Sequence, residues 1–229
     1  FLFNQFNLKG FFLKRPNIFI IAIAVAMPVM GMTIISPALS QIKSNLEVSF
    51  SDTQLVLSMY FLSLAIGQLI SGPLSDKFGR RPVIILGSLI YSFGAFLCVF
   101  MSDIKFLILS RMIQGFGAAA CLSVGRTIIS DSYKRTEAAE KMSTVTAVMV
   151  VIPILCFIFG GIFADLIGWR FNFFVLSMVG LIVFIFMIFF LHETNQNKIE
   201  YFNIIGSFKV YLMLFRNKIF LYFTFATGM

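Results

Sequence analysis

Charge is what this sequence has least of. Only 12% of its 229 residues are Asp, Glu, Lys or Arg, roughly half of what a soluble globular chain carries. With 59% hydrophobic residues and a mean hydropathy of +0.94, a soluble domain is excluded. There is one histidine, His192, just past an apolar run at an expected membrane edge. The cysteines are Cys98, Cys121 and Cys156; each lies inside an apolar segment and no CxxC pairing occurs, so they read as small packing residues, not as redox or metal ligands. No Ser/His/Asp, Cys/His or metal-ligand constellation is present. That excludes a hydrolase or a metalloenzyme, and no catalytic residue, metal or cofactor is expected. The net charge of +8 raises the question of nucleic acid. The basic residues, however, are parcelled into connectors between apolar runs, as in a polytopic membrane protein, and nucleic acid is not an expected partner.

What is there instead is a series of long apolar runs, at about Ile18–Leu39, Thr53–Leu74, Pro82–Met101, Ile104–Ser130, Met142–Leu166 and Phe171–Leu191. Each approaches or exceeds the ~20 residues that cross a ~30 Å hydrocarbon core. The small-residue pairs Ala22/Ala24 and Ala24/Ala26 come too early in the first run for a signal-peptide cleavage site, so that run is expected to be a retained helix. Lys43, Lys105 and Arg170 fall in one set of alternate connectors, Arg111 falls within a run, and every other Lys and Arg falls on the opposite side, Arg126 at the inner end of the fourth run and the rest in the opposite connectors. The bias predicts a cytoplasmic N-terminus. Between Lys198 and Lys218, residues Tyr201, Ile204, Ile205, Phe208, Tyr211, Leu212 and Phe215 recur at helical spacing beside Lys209 and Arg216. That pattern predicts an amphipathic helix in the cytoplasmic interface. The expected organisation is a basic arm over 1–17, a six-helix bundle over 18–191, a linker over 192–218 and the start of a seventh span over 219–229.

Helix packing in lipid favours small residues. The second run offers Ser63, Gly67, Ser71 and Ser75 at four-residue steps; the fourth offers Gly115, Gly117, Ala118, Ala119, Ala120 and Gly125. These are packing features first, and sliding surfaces would need the same residues.

The strongly charged island lies between the second and third runs, in GPLSDKFGRRP from Gly72 to Pro82. Asp76 and Arg80 are four apart, so they meet if the chain is helical there. Gly72 and Gly79 permit a tight turn, Pro82 suits the first turn of the next helix, and Lys77, Arg80 and Arg81 anchor the connector on the cytoplasmic side. The pattern G-x-x-x-D-K-x-G-R-R, Gly72 to Arg81, resembles the loop 2–3 signature of the major facilitator superfamily of secondary transporters. The resemblance implies an all-α membrane fold, here the N-terminal six-helix half. It also implies a conformational latch at Gly72, Asp76, Gly79, Arg80 and Arg81. GRTIISDSY, with Arg126 and Asp131, is similar to the R-x-I-x-x-D-x-Y pattern of the Bcr/CflA-like drug:proton antiporters, which adds Asp131 to the latch. LHET, Leu191–Thr194, and Trp169-Arg170 match the same family's sixth-span ending and fifth-to-sixth turn.

An ionisable group within a span is a functional hypothesis by default. Arg111, with Gln114 and Gly115, resembles the fourth-helix motif of proton-coupled antiporters and implies a part in proton transfer. The competing reading is that Arg111 snorkels to the outer interface. Two departures stand out. Cys156-Phe157 replaces the Gly-Pro of the fifth-helix antiporter motif, although Pro153 remains. Thr33 stands where relatives carry a first-helix acid, and no acid lies deep in a span, so this half offers no coupling carboxylate of its own. In such folds the substrate site lies at the midplane between two halves, which makes Met27, Met30, Thr33, Tyr60 and Gln68 candidate cavity residues. The expected function is multidrug efflux by proton antiport in the bacterial cytoplasmic membrane, with lipid, a small apolar or cationic drug, and a separate C-terminal six-helix half as partners. The alternatives are a split-gene remnant or assembly partner without transport, and a metabolite transporter.

Overall fold

The protein is described by a computed structural model covering residues 16–195 and Tyr222. The basic arm, the predicted interfacial helix and the seventh span fall outside the described residues, Tyr222 apart. Those described are helical, and no strand occurs among them.

Local chemistry sets the helix boundaries. The Asn17 side chain accepts from Phe19 N at 3.0 Å and opens α1, Ile18–Thr33. Pro37 has no N–H to give the Thr33 carbonyl. The helix breaks there into a 3-10 turn, Ser36–Ala38, before α2, Leu39–Leu46. A reciprocal Ser49–Asp52 capping box starts α3, Phe50–Phe78. After α4, Arg80–Phe100, Asp103 accepts from Lys105 N at 2.7 Å and starts α5, Ile104–Ser132. The bundle is completed by α6, Arg135–Leu166, and α7, Trp169–Phe190.

These elements make six stretches long and apolar enough to cross a membrane, with α1 and α2 sharing the first. Several boundaries differ from expectation. The first run is broken after Thr33 and its second helix continues to Leu46. α6 starts seven residues before the predicted run, because the polar stretch from Arg135 to Lys141 is helical. Gly72 is not a turn residue: α3 continues through the charged island to Phe78, and only Gly79 separates it from α4. At 29 residues α3 is longer than a ~30 Å core requires at about 1.5 Å per residue, so its last charged turns project beyond the apolar layer without unwinding.

The core runs through α5. The buried face of α3 carries Tyr60, Ser63, Gly67, Ser71 and Ser75, the predicted stripe extended by one step. It meets Gly115 and Ala119 of α5. On its other side α5 presses Gly117 against α4 so closely that a Cβ there would stand 2.5 Å from the Gly87 carbonyl oxygen. α7 backs α4, and α6 meets α1 where Gly160 faces the Ile34 carbonyl. Large apolar side chains such as Leu62 and Ile66 on α3, and Ile154 and Ile158 on α6, remain exposed, the surface expected of helices that face lipid or another bundle.

Candidate functional site

Two polar clusters lie on this scaffold, one at the corner between α3 and α4 and one inside the bundle. The corner turns on Gly79, whose φ of 108° and ψ of 158° would strain any residue with a Cβ. The turn places Arg80, the first residue of α4, back over the end of α3. Its Nη1 donates to the Asp76 carboxylate and to Ser75 Oγ at 2.7 Å, and its Nε donates to Asp131 Oδ2 at 3.0 Å. One guanidinium therefore joins the ends of α3, α4 and α5. Arg81 turns the other way and donates from Nη2 to the Ile188 carbonyl at the end of α7, at 2.8 Å, a cation at a helix C-terminus.

The Arg80 side chain is 12% exposed but that of Asp76 is 41% exposed. Solvent screening limits such a pair to about 1 kcal/mol. Two pairs of that size bias an equilibrium between helix arrangements without locking it.

Within the bundle, Arg111 is fully buried. It does not snorkel. Nη2 donates to the Gly31 carbonyl at 2.9 Å and Nη1 to Gln114 Oε1 at 2.6 Å, while the guanidinium lies 4.0 Å from the centre of the Tyr60 ring. The Gly31 carbonyl is available because α1 ends at Thr33 and its last carbonyls lack helical donors. Tyr60 Oη donates to the Pro28 carbonyl at 2.9 Å and Tyr91 Oη to that of Met27 at 3.1 Å. Three helices thus hold the end of α1 by its backbone. A fourth joins them: Asn172 Nδ2 of α7 donates to the Ile34 and Gly160 carbonyls at 3.1 and 3.0 Å. Burying a cation costs several kcal/mol. Charge-assisted bonds of about 1.5–3 kcal/mol each and an aromatic face worth up to ~2 kcal/mol offset that cost.

The structure therefore brings Asp76, Arg80 and Asp131 together, and likewise Arg111, Gln114 and Tyr60. Gly115 packs α5 against α3, beside Ser63 and the Tyr60 backbone. Met27 and Tyr60 are enclosed by the bundle. Met30, Thr33 and Gln68 are half-buried, with Met30 on an apolar groove between α1, α6 and α7 and Thr33 Oγ1 donating to its own helix at the Val29 carbonyl, 2.9 Å away. Sequence reasoning missed Asn172 and Glu193. Asn172 had a signal, a lone amide among the aromatic residues that follow Arg170 in WRFNFF. Glu193 had one too, its place in the LHET ending of the sixth span, but nothing in that ending says what its carboxylate reaches.

Comparison with known proteins points one way. A family model described as the Major Facilitator Superfamily matches residues 21–229. The chain is 30% identical over 220 residues to a bicyclomycin resistance protein homolog of Haemophilus influenzae, covering 94% of this chain and 55% of that one. It is 30% identical to an uncharacterized transporter of Rickettsia bellii, with 86% and 48% covered. It is 32% identical to multidrug resistance protein D of Escherichia coli, with 66% and 38% covered. The chain spans about half the length, or less, of these curated relatives.

Proposed function

The chain belongs to the Major Facilitator Superfamily, and on that premise we propose that it acts as the N-terminal half of a secondary active exporter in the bacterial cytoplasmic membrane. Its six apolar stretches and its family make it a multi-pass membrane protein; the proposal concerns what it moves and how. The cargo is a small apolar or cationic drug-like molecule, exchanged for protons by alternating access against a second six-helix half. The relatives' names, which refer to resistance to bicyclomycin and to multiple drugs, support the direction and the cargo.

The observation that carries the reading is the Arg80 bridge across the ends of three helices. With the N-terminus in the cytoplasm, as the distribution of Lys and Arg favours, this network shapes the corner that the second half meets at the inner face and so favours the state open to the outside. Arg111 holds the end of α1 in the opposite half of the bilayer, where its fixed charge acts on a proton carrier in the assembled transporter.

The test is accumulation of a fluorescent dye in cells deprived of their own efflux pumps. The chain co-expressed with a C-terminal half is expected to lower accumulation, and the chain alone is not. Asp76→Asn removes one arm of the bridge, worth about 1 kcal/mol, and is expected to slow export roughly fivefold while the protein still inserts at normal levels. Unchanged accumulation in the Asp76→Asn assembly refutes the latch. No change on adding any second half favours the alternative, a fold retained without transport.

A further inference from the structure

The segment leaving α7 returns to the corner between α3 and α4. The Glu193 carboxylate accepts from four backbone N–H groups: Oε1 from Arg80 at 2.8 Å, Thr194 at 3.0 Å and Asn195 at 2.9 Å, and Oε2 from Arg81 at 3.3 Å. Arg80 and Arg81 begin α4, so their N–H groups have no helical acceptor. Gly79, at the N-cap position, has no side chain to offer them. A carboxylate from far along the chain takes that place, where negative charge also suits the helix dipole. Asn195 serves the other side of Gly79: its Nδ2 donates to the Asp76 carbonyl at 3.0 Å and to that of Ser75 at 3.4 Å, in the last turn of α3.

We infer that Glu193 and Asn195 are positioning residues forming a clip over Gly79, so that the seating of residues 193–195 and the assembly of the Asp76–Arg80–Asp131 bridge are one coupled equilibrium. Arg80 is the shared element. Its backbone is held by Glu193 and its side chain by Asp76 and Asp131, so a movement of the corner that frees one end disturbs the other. Coupling of this kind is reciprocal: loosening the bridge loosens the clip, and the reverse. The effect on export rests on the transport reading above; the clip itself is a property of this chain.

The experiment is amide hydrogen exchange on the full chain in detergent, followed in peptides covering residues 79–82 and 192–195. Glu193→Ala is expected to speed exchange at Arg80 and Arg81 roughly tenfold, the size of a lost helix cap, with the middle of α4 unchanged. Asp131→Asn, whose carboxylate meets Arg80 and neither residue of the clip, is expected to speed exchange at Thr194 and Asn195 about threefold, a response that a purely local cap would not give. Unchanged exchange at Arg80 and Arg81 in Glu193→Ala overturns the clip. Unchanged exchange at Thr194 and Asn195 in Asp131→Asn overturns the coupling. Should Glu193→Ala fail to accumulate, Glu193→Gln keeps an acceptor oxygen without the charge; a smaller rise at the same amides supports the clip, and none refutes it. Coupled exchange without efflux counts against the transport reading alone; efflux with uncoupled exchange counts against the clip alone.

Discussion

Gly117→Val is expected to abolish accumulation of the folded chain in membranes. At this position a Cβ would press on the backbone N of Tyr91 and stand 2.5 Å from the Gly87 carbonyl oxygen. Both are main-chain atoms of α4, so no rotamer change relieves the overlap. The helices must separate, which breaks packing along the whole α4–α5 seam, where Gly87 meets Ala120 and Gly94 meets Gln114. Without a hydrophobic drive between helices in lipid, close packing is what holds them together. The loss is therefore expected to exceed about 4 kcal/mol, beyond the range of ordinary substitutions. Gly161→Ala is the control: its nearest neighbour is Pro37 Cβ at 3.8 Å, an ordinary contact, and accumulation is expected to match the wild type. Membrane-fraction yield together with resistance to limited proteolysis reads both.

Arg111→Ala is the second large effect. Loss of the guanidinium removes a desolvation cost, which favours the variant. It also leaves the Gly31 carbonyl and Gln114 Oε1 without their donor and opens a void under the Tyr60 ring. Each orphaned acceptor costs about 1–3 kcal/mol, and a void of this size adds about 1–2 kcal/mol. The balance is expected to be a loss of about 3 kcal/mol, read by unfolding in detergent. Arg111→Met refills most of the void without restoring either bond and should recover about 1–2 kcal/mol. Arg111→Lys keeps the charge but lacks the planar fork that reaches two acceptors at once. It should retain more stability than alanine while export, measured in the complete assembly, stays depressed.

Much of the scaffold was legible because lipid imposes simple rules. Length and hydropathy gave the spans, and the four-residue steps from Ser63 to Ser75 marked the face of α3 that packs on α5. The Asp76–Arg80 spacing marked a pair that does meet, but across the Gly79 turn and not along one continuous helix. α3 itself runs further than expected, because an apolar pattern stops where lipid stops, whereas backbone hydrogen bonding continues into the charged turns. Hence Gly72 looked like punctuation and is helical. What stayed hidden was side-chain traffic to main chain. Nothing in local spacing tells that the break at Pro37 frees carbonyls for Arg111 and Asn172, or that Glu193 reaches back to cap α4, since those partners are separated by 80, 138 and 113 positions.

The functional reading depends on which side of the membrane the Gly79 corner occupies. Phe78, beside it, is 50% exposed, and Cys98, Cys121 and Cys156 are all buried, so a thiol placed at Phe78→Cys reports alone. A membrane-impermeant maleimide is predicted to label it in inside-out vesicles and to leave it unlabelled in intact cells. Labelling from the outside of intact cells would contradict the account, because the Arg80 bridge would then lie at the wrong face.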